Sequence, residues 1–150
     1  MNMALVRSTG DLLNRWRNRF LPSKPSHLRV GLRGEKLAAR FLRRQGFKIL
    51  YRNFRGRHGG EIDLVCRDGN TLVFVEVKTR TREDFGRPLD AIGRKKQLRI
   101  SQGALVWLRL LGNPEILFRF DVVEIVLLEA RPPRVELVRN AFHLAEPYIY

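Results

Sequence analysis

The sequence predicts a mixed α/β domain in which helices cover a central sheet. Three observations carry this: an amphipathic helical stretch that stops at a glycine, three consecutive strand patterns separated by turn residues, and a second helix followed by a long apolar strand. The resulting order is helix, three-strand meander, helix, strand.

Residues 1–26 read as a basic arm set apart from a domain over 27–150. The arm holds Arg7, Arg15, Arg17, Arg19 and Lys24 against Asp11 alone, five cations and one acid, a net +4. It closes on the linker-like Pro22-Ser23-Lys24-Pro25-Ser26. Leu12, Leu13, Trp16 and Phe20 fall on one stripe, and a loosely docked arm is the plain reading. The first helix is expected over 27–45, with Ser26 as N-cap and Gly46 as its stop. Its inward stripe reads Leu28, Leu32, Glu35, Ala38, Ala39 and Leu42, at spacings of three and four. Glu35 interrupts that stripe. A carboxylate there is paired, liganded or displaced from the core, unless it is simply an exposed helical Glu beside Lys36 or Arg40.

Strands are expected over 48–53, 61–67 and 72–79, then a loop over 80–86 and a long helix over 88–111 with Pro88 in its first turn. Further strands are expected over 118–128 and 134–139. The second and third strands carry the unusual pattern. Charged Glu61, Asp63, Glu76 and Lys78 alternate with apolar residues, so one face of the pair is expected to be buried and the other to gather the charges. Arg67-Asp68-Gly69-Asn70-Thr71 supplies the turn. A loop over 68–71 opposes Glu61 to Lys78, Asp63 to Glu76 and Val65 to Phe74; a two-residue turn at Asp68-Gly69 opposes Glu61 to Glu76 instead. Both registers keep the charges on one face. Carboxylates about 5 Å apart repel by about 3 kcal/mol at an effective dielectric near 20. A divalent cation between them turns that penalty into a binding site.

The 150 residues suffice for one domain with a real core. Twenty-nine Lys and Arg against fifteen Asp and Glu give +14 and a pI near 11.3, which favours polyanions such as DNA, RNA or an anionic membrane surface. Seven Lys or Arg and no acid lie between Arg40 and Arg57 (Arg40, Arg43, Arg44, Lys48, Arg52, Arg55, Arg57). A second cluster comprises Arg80, Arg82, Arg87, Arg94, Lys95, Lys96 and Arg99. Tyr51, Phe54 and Phe85 are interleaved, available either for stacking on unpaired bases or, for Tyr51 and Phe54, for core packing. Cys66, the only cysteine, excludes an intrachain disulfide, fits a reducing cytoplasm and reads as a buried, inert thiol. His27, His58 and His143 lack zinc-ligand spacing. No apolar stretch is long enough to span a membrane.

Phosphodiester hydrolysis needs a cation at the non-bridging oxygens, an activated water and charge stabilisation. Asp63 and Glu76 offer hard oxygen ligands for Mg²⁺ or Mn²⁺, with the Val77 carbonyl beside them and Glu35 available for a second cation or a metal-bound water. Lys78 can orient or deprotonate the water, or stabilise developing charge. Glu61 pairs with Lys78, assists the metal, or is a surface residue; Asp121 reads as structural.

These residues resemble the PD-(D/E)xK nuclease superfamily, with Asp63 as first acid and Glu76-Val77-Lys78 as the second half-motif. More narrowly, the chain is similar to the small bacterial YraN family, labelled UPF0102 and described as related to Holliday junction resolvases. The resemblance runs over about 31–126 and rests on Gly34-Glu35 with Ala38-Ala39, Gly46-Phe47, Arg52-Asn53-Phe54-Arg55, Gly60-Glu61-Ile62-Asp63-Leu64, Phe74-Val75-Glu76-Val77-Lys78-Thr79-Arg80 and Arg119-Phe120-Asp121-Val122-Val123. It implies a restriction endonuclease-like αβββαβ core with Glu35, Asp63, Glu76 and Lys78 as the nuclease site. Lys95-Lys96-Gln97 resembles a helix position that related nucleases use to assist the site, with Gln97 the candidate. The name-giving proline is replaced by Ile62. The expected activity is a Mg²⁺- or Mn²⁺-dependent endonuclease acting on DNA, branched or partly single-stranded, with a homodimer left open. The competing readings are a catalytically silent nucleic-acid-binding protein with a nuclease-like fold, and a basic ribosome-associated protein.

Overall fold

The computed structural model describes residues 26–57, 59–82, 92–148 and 150. The basic arm up to residue 25, together with His58, Phe85, Arg87 and Pro88, lies outside them. Seven elements follow one another: helix α1 (Ser26–Arg44), strands β1 (Lys48–Arg55), β2 (Glu61–Asp68) and β3 (Thr71–Arg80), helix α2 (Arg94–Leu110), and strands β4 (Phe118–Val126) and β5 (Arg134–Phe142). One sheet has the spatial order β1-β2-β3-β4-β5, parallel between β3 and β4 and antiparallel elsewhere. The α/β expectation holds. The architecture, a five-stranded mixed sheet flanked by two helices, is compatible with a restriction endonuclease-like core.

Helix α1 stops at Gly46 as the sequence predicts: the Phe47 amide donates to the Leu42 carbonyl at 3.0 Å and the Gly46 amide to Arg43 at 3.1 Å, the paired bonds of a Schellman end. The inward stripe differs. Leu28 and Leu32 are 50% and 39% exposed, whereas Gly34, Ala38, Ala39 and Leu42 are buried. Close approach at Gly34 sets which side of α1 meets the sheet, because a Cβ there would lie 1.8 Å from the Thr79 hydroxyl oxygen and 3.0 Å from Thr79 Cβ. Helix α2 starts at Arg94 rather than 88, since Gly93 is extended (φ −62, ψ 159) and serves as its N-cap.

The sheet is buried on both faces. Ile62, Val65, Phe74, Phe120 and Val122 pack with Ile100, Ala104 and Leu108 of α2. On the other face Leu64, Cys66, Val73, Val75, Val123 and Ile125 pack with Ala38, Ala39 and Leu42 of α1. The expectation of one buried and one charged face is thereby corrected: strands covered on both sides read as apolar runs, as Leu64-Val65-Cys66 and Leu72-Val73-Phe74-Val75 do. Cys66 is buried, and burial pushes its thiol up to about 12, which leaves it protonated and inert. Strand β5 extends past residue 139 because Phe142 stacks on Phe120 at 4.8 Å. Asp121 is structural: it takes the Arg119 guanidinium at 2.9 Å and the Asn140 amide at 2.8 Å. Among the described residues no helix is long and apolar enough to cross a membrane.

Candidate active site

Strands β2 and β3 pair from Asp68↔Thr71 through Val65↔Phe74 to Leu64↔Val75, the first of the two registers the turn allows. There the ladder ends and the strands fork. The N-terminal end of β2 stays with β1, with Arg55↔Glu61 the last pair, while β3 runs on beside β4 to Arg80↔Val126. The break has a local cause. Ile62 and Leu64, two residues apart, belong to opposite cores, so the alternation slips at Asp63. Across from Asp63 on β1 lies Asn53, whose φ of 53 is the left-handed conformation that asparagine tolerates.

The fork frees the Asp63 carboxylate, and its Oδ2 accepts the Val77 amide at 2.8 Å, as a strand carbonyl would. The register sets Glu76 beside it. Glu76 is only 7% exposed, and its Oε2 is buried without a hydrogen-bond partner among the described residues. Burial, with the neighbouring Asp63 charge second, raises the Glu76 carboxyl to about 8 against the pull of Lys96. The cation in question comes from the first turn of α2: Lys96 Nζ lies 3.2 Å from Glu76 Oε1 and 2.7 Å from Glu61 Oε1. Burial alone would lower the Lys96 ammonium, but the Glu61 hydrogen bond and the Glu76 and Asp63 charges outweigh it and raise it. Lys96 lowers Glu61 in return.

A cleft of about 730 Å³ opens over the fork, lined by Glu35, Asp63, Glu76, Val77, Lys78, Thr79 and Lys96 with the first turns of α1. Glu35 belongs to it, with Oε2 taking the Asn53 side-chain amide at 3.1 Å. Lys78 lines it too and is exposed, and among the described residues no acid holds it. Four of the five residues singled out from sequence therefore share one cleft. Gln97 does not line it; its amide donates to the Ile92 carbonyl at 3.0 Å, securing the approach to α2. Of the three readings of Glu61, pairing with Lys78 is not the one the fold adopts, because the fork separates their strands; Glu61 binds Lys96 and Arg99. Among the described residues no three His, Cys, Asp or Glu side chains are arranged around one ion. The compact donor set is the Asp63–Glu76 pair, with Glu35 on the wall.

The family model described as "Uncharacterised protein family UPF0102" matches residues 34–125. The chain belongs to the UPF0102 family. Its relatives include UPF0102 proteins of Geobacter sulfurreducens, 51% identical over 77% of this chain and 90% of that one, and of Syntrophus aciditrophicus, 45% identical over 79% and 92%. Another, from Rhodococcus jostii, is 46% identical over 77% of this chain and 98% of its own length. The span matched to UPF0102 contains Glu35, Asp63, Glu76, Lys78 and Lys96 of the cleft. On this turn of α2 it is Lys96, one residue before the Gln97 that the sequence suggests, that enters the cleft. Lys96 precedes the buried Ile100, Ala104 and Leu108 by four, eight and twelve residues, which marks the helix's inward edge.

Proposed function

We propose that this protein is a divalent-metal-dependent endonuclease that hydrolyses phosphodiester bonds of DNA, with structured or branched DNA as the substrate class and the cytoplasm as its place of work. The observation that carries the reading is the Asp63–Glu76 pair: two abutting carboxylates, one with a buried oxygen that no donor among the described residues satisfies. An acid left in that state fits a hard cation as its missing partner. Two carboxylates are what Mg²⁺ ordinarily takes from a protein, keeping its other positions for water and substrate phosphate. Asp63 and Glu76 would hold it, with Glu35 on the wall left to reach it through a bound water, and the ion would supply charge neutralisation and a more acidic water.

The chain's own groups have separable roles in this reading. The Val77 amide fixes the Asp63 carboxylate, so the ligand is preorganised. Lys78, uncommitted among the described residues, is the ammonium available to the attacking water or to charge building on the phosphate. The net charge of +14 retains the polyanion. The resemblance to PD-(D/E)xK nucleases supports the same assignment by analogy.

The alternative is a nucleic-acid-binding protein with a nuclease-like fold and no turnover. It is favoured by Lys96, which already supplies Glu76 with a cation at 3.2 Å. The deciding experiment offers linear, single-stranded and four-way DNA with Mg²⁺ or Mn²⁺. Cleavage that Asp63→Ala, Glu76→Ala and Lys78→Ala each abolish, with DNA binding retained, establishes the endonuclease. Binding without nicking under either metal establishes the silent binder.

A further inference from the structure

We propose that Tyr51 and the cations around it on the exposed edge of the sheet form a stacking platform for unpaired bases of a DNA strand entering the cleft, a substrate assignment that rests on the nuclease reading. Tyr51 was open from sequence to either core packing or base stacking, and it does not enter the core. Its side is 50% exposed, while Phe54 next to it is buried. The ring is nonetheless held in place. Its centroid lies 5.4 Å from the Trp107 ring and 6.0 Å from Phe54, and those two rings meet edge to face at 5.1 Å. A braced aromatic with open surface loses little side-chain entropy when a flat ligand lands on it.

The surroundings specify the ligand's charge. Strand β1 ends the sheet, and Lys48, Arg52, Arg55 and Arg57 on and after it are all exposed. No acid occurs between Arg40 and Arg57. Tyr51 faces the α2 side with Val65 and Arg52 the α1 side with Leu64, so ring and cations flank the edge strand. An aromatic beside cations is the arrangement that binds single strands, the bases stacking and the phosphates meeting the charges. Bases paired in a duplex are stacked on each other and cannot reach the ring. A second copy of the chain is disfavoured, because edge-to-edge pairing of two β1 strands would set these cations against their own equivalents. Strand β1 links the platform to the cleft: Tyr51 faces the α2 side, and Asn53, two residues on, donates to Glu35 in the cleft wall.

The test is metal-free binding in EDTA, read by anisotropy of two fluorescein-labelled probes, an oligothymidylate and an abasic phosphodiester of the same length. The wild type should prefer the base-bearing probe by about tenfold. Tyr51→Ala should remove that preference, and Tyr51→Phe, which keeps the ring, should retain it. Equal binding of both probes by the wild type, or a preference that survives in Tyr51→Ala, overturns the platform and leaves the nuclease reading intact. Failure to bind either probe also overturns the platform, while cleavage of four-way DNA with metal still decides the nuclease reading. A wild-type dimer in sedimentation that Tyr51→Ala dissociates would assign the face to a second copy and overturn the proposal.

Discussion

Glu76 sits where two effects with opposite signs meet. Burial and the Asp63 charge raise its carboxyl from 4.5 to about 8, while Lys96 pulls it down. An acid whose folded value lies above its unfolded one keeps a proton that the unfolded chain has released. Stability must then fall as pH rises from near 4.5 to about 8 and level off beyond. Glu76→Gln cannot ionise, so in EDTA its melting temperature should lose less than the wild type's between about pH 5 and about pH 9. Parallel curves for the two proteins would show that Glu76 ionises freely in the folded state. Lys96 permits a second expectation. Its ammonium holds the position of a counter-ion between Glu61 and Glu76, so an incoming dication must displace it or share the acids with it. Lys96→Gln should therefore tighten Mn²⁺ binding, by about tenfold for a gain of about 1.4 kcal/mol, measured calorimetrically without DNA. Weaker binding in the variant would instead make Lys96 a support that holds the carboxylates in place.

At the scale of elements, the site depends on how closely α1 approaches β3. A Cβ on Gly34 would fall 1.8 Å from Thr79 Oγ1, and with Thr79 Cβ at 3.0 Å and Cγ2 at 3.1 Å no rotation of Thr79 clears the space. Gly34→Ala should destabilise the protein by roughly 1–3 kcal/mol in denaturant titration, the usual cost of overpacking. Adding Thr79→Ala should recover part of that loss, whereas strictly additive losses would mean the contact is not the cause. The same contact explains what the sequence concealed. Apolar periodicity nominated Leu28 and Leu32, but glycine carries no hydrophobic signal and it is Gly34 that the sheet selects. The β2–β3 register was legible, because Asp68-Gly69-Asn70-Thr71 carries turn chemistry and fixes Val65 opposite Phe74. The fork was not, since it depends on the left-handed Asn53 across from Asp63, a backbone choice that asparagine allows without requiring. Asp63, Glu76 and Lys78 could be found because charges are conspicuous in strands this apolar. Choosing Lys96 over Gln97 required knowing the helix phase to one residue.

The whole molecule adds a field that no single contact explains. Of the fifteen acids, Glu61 and Glu76 bind Lys96, and Asp68 and Asp121 bind Arg119, so these four already face cations of the chain itself. The cations between Arg40 and Arg57, by contrast, are all exposed. A strand lying along them would release about 0.7 counterion per phosphate engaged. Engagement of four to seven phosphates by that run predicts a slope of log K against log salt of about −3 to −5 for single-stranded DNA. Neutralising Arg52 and Arg55 together, as Arg52→Gln with Arg55→Gln, should reduce the slope's magnitude by about 1.4. The Tyr51→Ala variant, which removes a ring and no charge, should leave the slope unchanged while lowering the affinity. Those two variants separate the electrostatic contribution from the stacking one. A slope near zero in the wild type would mean that the charge of this face meets something other than a phosphate backbone.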